Sequence, residues 1–182
     1  IEGKEYLTSD KTKATNSKYF RGSREPLFQG SFSSEFQFGP VDFSFLTTFS
    51  VGGVTYDSRY AGTREVTYAG DTWSTHALRA WKQPGDVTDV PVLLVNSGNL
   101  AADRWLIDAS YFAIKSIQLG YTLPAKWTRV VGIQSLRLFA VGENLFLFSK
   151  LNGLNPQESI SGGNNYSYTP TRTISLGVDI NF

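Results

Sequence analysis

The chain contains no cysteine, no methionine and a single histidine, His76. Without cysteine it has no disulfide framework, no thiolate metal site and no cysteine nucleophile. One histidine in a polar loop does not make a zinc site, and Asp86, Asp89, Asp103 and Asp108 lack the spacing and the liganding glutamate of a calcium loop. The sequence has neither a GxSxG motif nor a glycine-rich phosphate loop leading into a helix. We therefore expect no metal, no cofactor and no enzymatic activity.

Charged residues are scarce, and long apolar runs are absent. Lysine and arginine total 17 against 16 aspartates and glutamates, which gives a net charge of +1. This balance indicates neither a nucleic-acid-binding surface nor an acidic tail. No run of about 18 apolar residues occurs, which excludes a transmembrane helix but not membrane-spanning strands. The chain begins Ile-Glu-Gly-Lys without an initiator methionine or signal sequence, so we expect a mature product or a piece of a longer protein.

Aromatic residues, in contrast, make up 14% of the chain and often fall on alternating positions. The alternation is strictest over Thr171–Phe182, where one face carries Ile174, Leu176, Val178, Ile180 and Phe182. The terminal carboxylate directly follows a large aromatic ring, whereas the ends of soluble domains are usually polar and frayed. This pattern indicates a strand that ends against lipid, although a half-buried strand of a soluble sandwich alternates in the same way.

Four other segments alternate over lengths near or somewhat above the 9–11 residues of a membrane-crossing strand. The predicted strands are residues 27–38, 41–56, 110–123, 134–145 and 171–182. The first two are joined by Gly39-Pro40 and should form a hairpin. In the third, the apolar phase changes after Ile114, which predicts a β-bulge near Lys115-Ser116.

Short and long connections alternate between these strands. Residues 39–42 and 124–133 are short turns, whereas 57–108 and 146–170 are long, and a further long segment precedes the first strand. Outer-membrane barrels have tight periplasmic turns and long extracellular loops, so the pattern places the carboxy terminus in the periplasm. A soluble domain with a structureless loop of this length would be unusual.

Five strands cannot close a barrel. Unpaired backbone groups in hydrocarbon cost several kcal/mol each, and bacterial single-chain barrels have an even number of strands, from eight upward. We therefore expect the barrel to be completed by strands outside this chain. The alternative is a small eight-stranded barrel that recruits the weaker runs at 64–68 and 90–95, although both are too short to span a membrane.

Several segments resemble the carboxy-terminal part of the SusC/RagA family of TonB-dependent outer-membrane transporters. Asp108–Pro124 (DASYFAIKSIQLGYTLP) is similar to the family strand aSYlRlKnisLGYtLP, and Ser135–Phe148 (SLRLFAVGENLFLF) is similar to lrvyvsgqNLftf. Tyr168–Phe182 is similar to the family ending YP..RtyslGlnlkF. The segments Arg24–Phe32 and Trp81–Pro91 also resemble family positions. The resemblance thus covers most of the chain.

Two departures from the family pattern occur. Ala113 stands where the family usually has a basic residue, and Gly39-Pro40-Val41-Asp42 replaces the more typical ykgFd turn. Neither position has a known chemical role in the family. The resemblance therefore still implies that residues 1–182 form about strands 18 to 22 of a 22-stranded antiparallel β-barrel whose amino-terminal plug lies outside this chain.

The resemblance also implies a function and a set of partners. Such transporters lie in the outer membrane of Gram-negative, Bacteroidetes-like bacteria and import oligosaccharides or peptides. They work with a SusD-like surface lipoprotein and draw energy from the TonB–ExbB–ExbD complex through their amino-terminal part. The closing strand resembles the signal read by the barrel-assembly machinery, with Leu176, Val178, Ile180 and Phe182 as its residues.

Three aromatic residues in the long loops are candidates for contacts with the substrate or the lipoprotein. These are Trp73, Trp81 and Tyr166, which could stack on sugar rings. The alternative for each is simple packing within its own loop.

Two other functions fit parts of the pattern. One is a small self-contained outer-membrane barrel with a structural or adhesive role, which would insert alone. The other is a soluble carbohydrate-binding β-sandwich, which should dissolve without detergent. The phenylalanine-rich face of residues 27–51 argues against the sandwich, because continuous exposed apolar surface promotes aggregation.

Overall fold

The computed structural model describes residues 10–64, 70, 72–90, 92–93, 102–150, 153, 155–158, 163–164 and 170–182. The strands are β1 (Phe28–Phe38), β2 (Val41–Val51), β3 (Val54–Asp57), β4 (Leu106–Asp108), β5 (Tyr111–Thr122), β6 (Ser135–Ser149), β7 (Gly163–Asn164) and β8 (Thr173–Asn181). The α-helices are α1 (Lys11–Asn16), α2 (Ser58–Arg64) and α3 (Ala125–Thr128), and short 3-10 turns occur at Thr75–Arg79, Asp103–Trp105, Arg129–Val131 and Pro156–Glu158. No helix among the described residues is both long enough and apolar enough to cross a membrane.

Five long strands form one antiparallel sheet in the order β1-β2-β5-β6-β8. Each strand pairs with the next long strand in the chain, as in an up-and-down meander. Within the described part of the chain, the outer edges of β1 and β8 have no neighbouring strand. The sheet therefore offers two open edges at which further strands could pair.

Two strands differ in length from the sequence prediction. The strand predicted over 41–56 ends at Val51, because Gly52 and Gly53 adopt φ angles of 83° and 81° that stop the ladder. The chain then enters β3, which belongs to a separate three-stranded sheet in the order β4-β3-β7. In contrast, β6 is longer than predicted, because it continues to Ser149 rather than ending at residue 145.

The β-bulge predicted in the third long strand is confirmed. Pairing of β5 with β6 shifts between Ile114 and Ser116, and pairing of β2 with β5 shifts at Leu46/Thr47. Lys115 is the extra residue, and it lets Ile114 and Ile117 lie on the same face of the sheet.

The two short connections lie at one end of the main sheet. Phe38 and Val41 pair directly, so Gly39 and Pro40 alone make the turn, and the φ of +60° at Gly39 followed by proline matches a type II′ hairpin. The connection from β5 to β6 is a compact helical turn that ends at Gly132 in the left-handed region, with a φ of 76°. The connections from β2 to β5 and from β6 to β8 leave and re-enter the sheet at the opposite end.

The register of the ladder gives the main sheet two chemically different faces. One row across all five strands consists of Phe36, Phe43, Leu119, Ala140 and Leu176, and the adjacent row consists of Gln37, Asp42, Gly120, Phe139 and Gly177. We call the first the apolar face and the second the polar face. Of the buried apolar side chains in the described residues, only Ala113 belongs to this sheet, so most of the sheet is not covered by a protein core.

Candidate functional site

The apolar face is a hydrophobic surface that continues across all five strands of the main sheet. Large apolar side chains on it remain exposed: Phe28, Phe32, Phe36, Phe38, Val51, Phe112, Leu119, Tyr121, Leu138, Phe146, Phe148, Ile174, Leu176, Val178 and Ile180. Monomeric soluble proteins rarely expose apolar patches that continue across five strands. A lipid environment stabilises such a face.

Phenylalanine rings reinforce the apolar face along the first hairpin. The ring of Phe36 lies 6.4 Å from the rings of both Phe43 and Phe45, and Phe32 lies 5.6 Å from Phe45. Aromatic pairs at these distances contribute roughly 0.5–1.5 kcal/mol each beyond the area they bury. The pairs therefore favour this register of the hairpin.

The four residues predicted as the assembly signal lie together on the apolar side of β8 and its end. Leu176, Val178 and Ile180 are cross-strand neighbours of Ala140, Leu138 and Leu136, and their exposed fractions are 82%, 54% and 47%. Phe182 follows the last paired residue and is 82% exposed.

An ion-pair cluster crosses the polar face near its short-turn end. Arg137 on β6 donates from Nε to Asp42 Oδ1 at 2.9 Å and from Nη2 to Asp42 Oδ2 at 2.5 Å. Its Nη1 donates to Asp179 Oδ2 on β8 at 3.0 Å. A fork of this kind is the strongest geometry that arginine offers to a carboxylate. The cluster thus ties β2, β6 and β8 together.

Glycine makes room for this cluster on the intervening strand. Gly120 lies between Asp42 and Phe139 in the ladder, and a Cβ at Gly120 would fall 2.6 Å from Arg137 Nη2. Gly177 has a related role, because a Cβ there would overlap the ring of Phe139. The Arg137 guanidinium in turn lies over that ring, 5.1 Å from its centroid. Both positions therefore require glycine, because a side chain at either one would overlap its neighbours.

A hydrogen-bond relay joins the two sheets at the long-loop end. The backbone N–H of Gly52 donates to Ser110 Oγ at 2.9 Å, and that hydroxyl donates to Asp108 Oδ1 at 2.5 Å. The backbone N–H of Ser110 donates to the same carboxylate oxygen at 2.8 Å. Hydrogen bonds from the Ser110 side chain and then from its backbone hold the pKa of Asp108 below its ordinary value. The relay fixes where β3 and β4 leave the main sheet.

A cavity of about 360 Å³ lies beneath this junction, on the polar face. Its floor is one cross-strand row, Gln29, Ser50 and Tyr111. Its other lining residues come from the segment before β1, from the start of the small sheet, and from the loop between β6 and β8: Arg24, Glu25, Pro26, Gly52, Val54, Thr55, Ala109, Pro156 and Gln157. The cavity therefore opens on the polar side, at the end of the sheet that carries the long loops.

The predicted contact residues Trp73 and Trp81 lie at opposite ends of the turn Thr75–Arg79 and are 41% and 36% exposed. Their loop is internally bonded, since Trp81 N donates to Val90 O at 2.9 Å and Arg79 pairs with Asp89. Tyr166 lies outside the described residues. The structure does not bring the tryptophans to the cavity.

The described residues contain no cluster of three or more histidine, aspartate or glutamate side chains that could hold a metal ion. His76 lies in the loop of residues 72–90, with its Nδ1 buried. Sequence reasoning missed the cavity and the Gly120 cluster. Alternation places Asp42, Gly120 and Arg137 on the polar side of their strands, and Gln29 likewise, but it gives no cross-strand pairing.

Comparison with family models returns no match. Curated relatives do exist. The chain is 26% identical over 174 residues to TonB-dependent receptor P3 of Formosa agariphila, covering 88% of this chain and 17% of that protein. It is 27% identical to TonB-dependent receptor P39 of the same organism, covering 93% of this chain and 17% of that protein. It is 26% identical to the TonB-dependent receptor SusC of Bacteroides thetaiotaomicron, covering 82% of this chain and 14% of that protein. The chain thus spans about a sixth of the length of these relatives.

Solved structures give the same result for the fold. The chain superposes on a structure of the RagAB peptide transporter with a TM-score of 0.79 and 21% identity, over 90% of this chain and 18% of that chain. It also matches RagAB in its open-open state, with a TM-score of 0.72 and 22% identity. These structural matches confirm the expected fold class, an antiparallel barrel segment. The curated relatives confirm the resemblance drawn from the sequence motifs.

Proposed function

We propose that this chain is a wall segment of a SusC/RagA-like TonB-dependent transporter in the outer membrane. The observation that carries the proposal is the two-faced sheet with open edges and with its long connections at one end. The relatives named above support it, since 82–93% of this chain aligns with TonB-dependent receptors. The remainder of the barrel, the plug and the contact with TonB–ExbB–ExbD would then come from outside this chain.

The two faces fit different solvents in such a barrel. The apolar face would meet lipid, where the exposed phenylalanines and leucines are stable, and the polar face would line the lumen. The open edges of β1 and β8 would pair with neighbouring strands, because unpaired backbone groups in hydrocarbon cost several kcal/mol each. A soluble sandwich would have to cover the apolar face, and nothing in the described chain does so.

The long-loop end is the side on which we place the substrate and the lipoprotein. A SusD-like lipoprotein would cover this end, and oligosaccharides or peptides would enter through it. Trp73 and Trp81, exposed on an internally bonded loop, are candidate contacts, and Tyr166 is a third from the sequence alone. The carboxy terminus would lie in the periplasm, where the barrel-assembly machinery reads Leu176, Val178, Ile180 and Phe182.

Since this chain has no cysteine, a cysteine introduced into it reports the orientation of the chosen position, with the unsubstituted full-length protein as the background control. Val87 is 101% exposed in the long loop, and Val130 is 84% exposed in the short connection. We expect a membrane-impermeant maleimide to label Val87→Cys of the full-length protein on intact cells. Val130→Cys should be labelled only after the outer membrane is opened. Labelling of both sites on intact cells, or of neither, would contradict the membrane topology.

A second experiment tests whether the chain belongs to a large transporter. The native polypeptide that carries this sequence should be purified from membranes in detergent, and its intact mass measured under denaturing conditions. A mass several times the 20.2 kDa of this chain is expected. A mass near 20.2 kDa with no larger fragment attached would instead favour the small self-contained barrel. Deletion of TonB tests the energy source, and we expect it to abolish substrate uptake.

A further inference from the structure

The cavity beneath the junction of the two sheets has the composition of a ligand site. Its volume of about 360 Å³ lies near the lower end of the range for small-molecule pockets. The floor is part of the five-stranded sheet, and rigid elements position binding groups more accurately than loops do. Ser50 is buried to 7% exposure at the centre of that floor. A preformed polar surface therefore lies at the base of an open cavity.

Among the described residues, the groups that line the cavity are mostly neutral and able to hydrogen-bond. Gln29 and Gln157 each present an amide donor and acceptor, and Ser50 and Tyr111 add hydroxyl groups. Arg24 and Glu25 bring one positive and one negative charge, which cancel. The charge balance disfavours a strongly charged ligand, and the number of hydrogen-bonding groups disfavours a purely apolar one.

Apolar surface is interspersed with these polar groups. Pro26, Val54, Ala109 and Pro156 contribute carbon surface, and Tyr111 contributes an aromatic ring. A pyranose ring has this same division, with C–H groups on its faces and hydroxyl groups around its edge. Planar amide, carboxylate and guanidinium groups can each bond two neighbouring hydroxyls at once. The lining thus matches a sugar ring in both respects.

Hydrogen bonds hold the walls of the cavity in position. The relay from Gly52 through Ser110 to Asp108 fixes one wall. On the other side, Asn155 is 4% exposed, and its Oδ1 accepts from both the backbone N and the side-chain Nε2 of Gln157 at 3.2 Å. The amide of Gln157 is therefore oriented before any ligand arrives, which reduces the entropy lost on binding.

We infer that this cavity binds one saccharide unit of a neutral oligosaccharide, with Gln29 and Gln157 as its principal hydrogen-bonding residues. The inference rests on the proposed function, because the cavity lies on the face that would line the transport lumen. It names the substrate class and a set of contacts for that lumen. The Tyr111 ring and the two prolines would contact the apolar faces of the sugar.

The test uses the full-length transporter, purified with its native lipoprotein and screened by native mass spectrometry against a panel of neutral oligosaccharides, acidic oligosaccharides and short peptides. We expect a neutral oligosaccharide to bind. Gln29→Ala and Gln157→Ala should each weaken its binding about three- to tenfold, the effect of losing one or two hydrogen bonds. Gln37→Ala, on the same face of β1 at the far end, is the matched control and should leave binding unchanged. Hydrogen exchange should show that the sugar protects residues 52–56 and 155–158.

The outcomes separate this inference from the proposed function. If an oligosaccharide binds equally well to all three variants, or protects none of these segments, the cavity is not the site. Preferential binding of peptides or acidic glycans, or of no panel member, overturns the neutral-saccharide assignment. In each of these cases, TonB-dependent uptake and the maleimide topology can still hold. Failure of the topology test would instead contradict the proposed transporter function.

Discussion

Replacing Gly120 by alanine is expected to destabilise the main sheet by displacing the ion pair between Asp42 and Arg137 on the strands on either side. Gly120 does not have a positive φ, so its backbone accepts alanine without strain. The added Cβ would fall 2.5 Å from Asp42 Oδ2 and 2.6 Å from Arg137 Nη2, well inside van der Waals contact. The carboxylate and the guanidinium must therefore separate, or the strand must shift.

The structure sets the size of the effect. The Arg137 and Asp42 side chains are 25% and 20% exposed, between a fully exposed pair and a buried one. Exposed pairs contribute about 0.2–1 kcal/mol, and breaking a buried pair costs about 3–5 kcal/mol. Because the pair has two charge-assisted bonds and is partly screened by solvent, we expect its loss to lower the free energy of unfolding by about 2 kcal/mol. Urea unfolding of the full-length protein in detergent, followed by the heat-modifiable gel band, would measure the loss.

A double-mutant cycle isolates the cause. Asp42→Ala alone should cost about as much as Gly120→Ala, because both break the same pair. In the Asp42→Ala background, Gly120→Ala should add little, so the coupling energy should be about 2 kcal/mol. Ser116→Ala, on the same strand and face, should change stability by less than about 0.5 kcal/mol. Strictly additive effects of the two substitutions would refute the reasoning.

Three further predictions concern the apolar face, the chain end and pH. Ile117→Lys on the apolar face, near the bilayer midplane, should lower the free energy of unfolding by about 2–4 kcal/mol, whereas Ser116→Lys on the polar face should be tolerated. Equal urea midpoints of the two variants would contradict the two-faced sheet. Phe182→Gln should lower the amount of full-length protein in the outer membrane, with Asn181→Gln as the control. Normal abundance of the Phe182→Gln variant would contradict a role of Phe182 in assembly. The pKa of Asp108 is lowered in the folded state, so its stabilisation is present above the unfolded pKa and lost as pH falls through the folded one. Hydrogen exchange at residues 52–56, corrected for intrinsic rate, should quicken only below about pH 4, and a uniform rate from neutral to acid pH would exclude the relay as an anchor.

The strands of the main sheet could be predicted because their signal is local. Alternation along β1 or β8 reports directly which side chains share a face, and the phase change around Lys115 is a direct mark of a bulge. The end of β2 was harder to predict, since apolar residues continue past Val51. Only the positive φ angles of Gly52 and Gly53 show that the chain leaves the ladder there.

The candidate site depended on residues far apart in the chain. Asp42 and Arg137 are 95 positions apart, and their contact requires the intervening strand to carry glycine at one register position. The cavity likewise combines Gln29, Tyr111 and Gln157 from three separate segments. Periodicity gives the face on which each lies but not the partner it meets, because register is set by pairing across the sheet.

The sequence by itself determined the class of this protein. Strict alternation, abundant aromatic residues, scarce charge and sorted loop lengths are local or compositional, and they suffice to predict amphipathic strands of a membrane barrel. The family resemblance rests instead on motif segments such as Asp108–Pro124. Only the tertiary structure decided where strands stop, how the small sheet joins the large one, and which polar side chains converge. Those features arise from cross-strand register and from the space that single glycines leave, and both are properties of neighbours in space rather than neighbours in the chain.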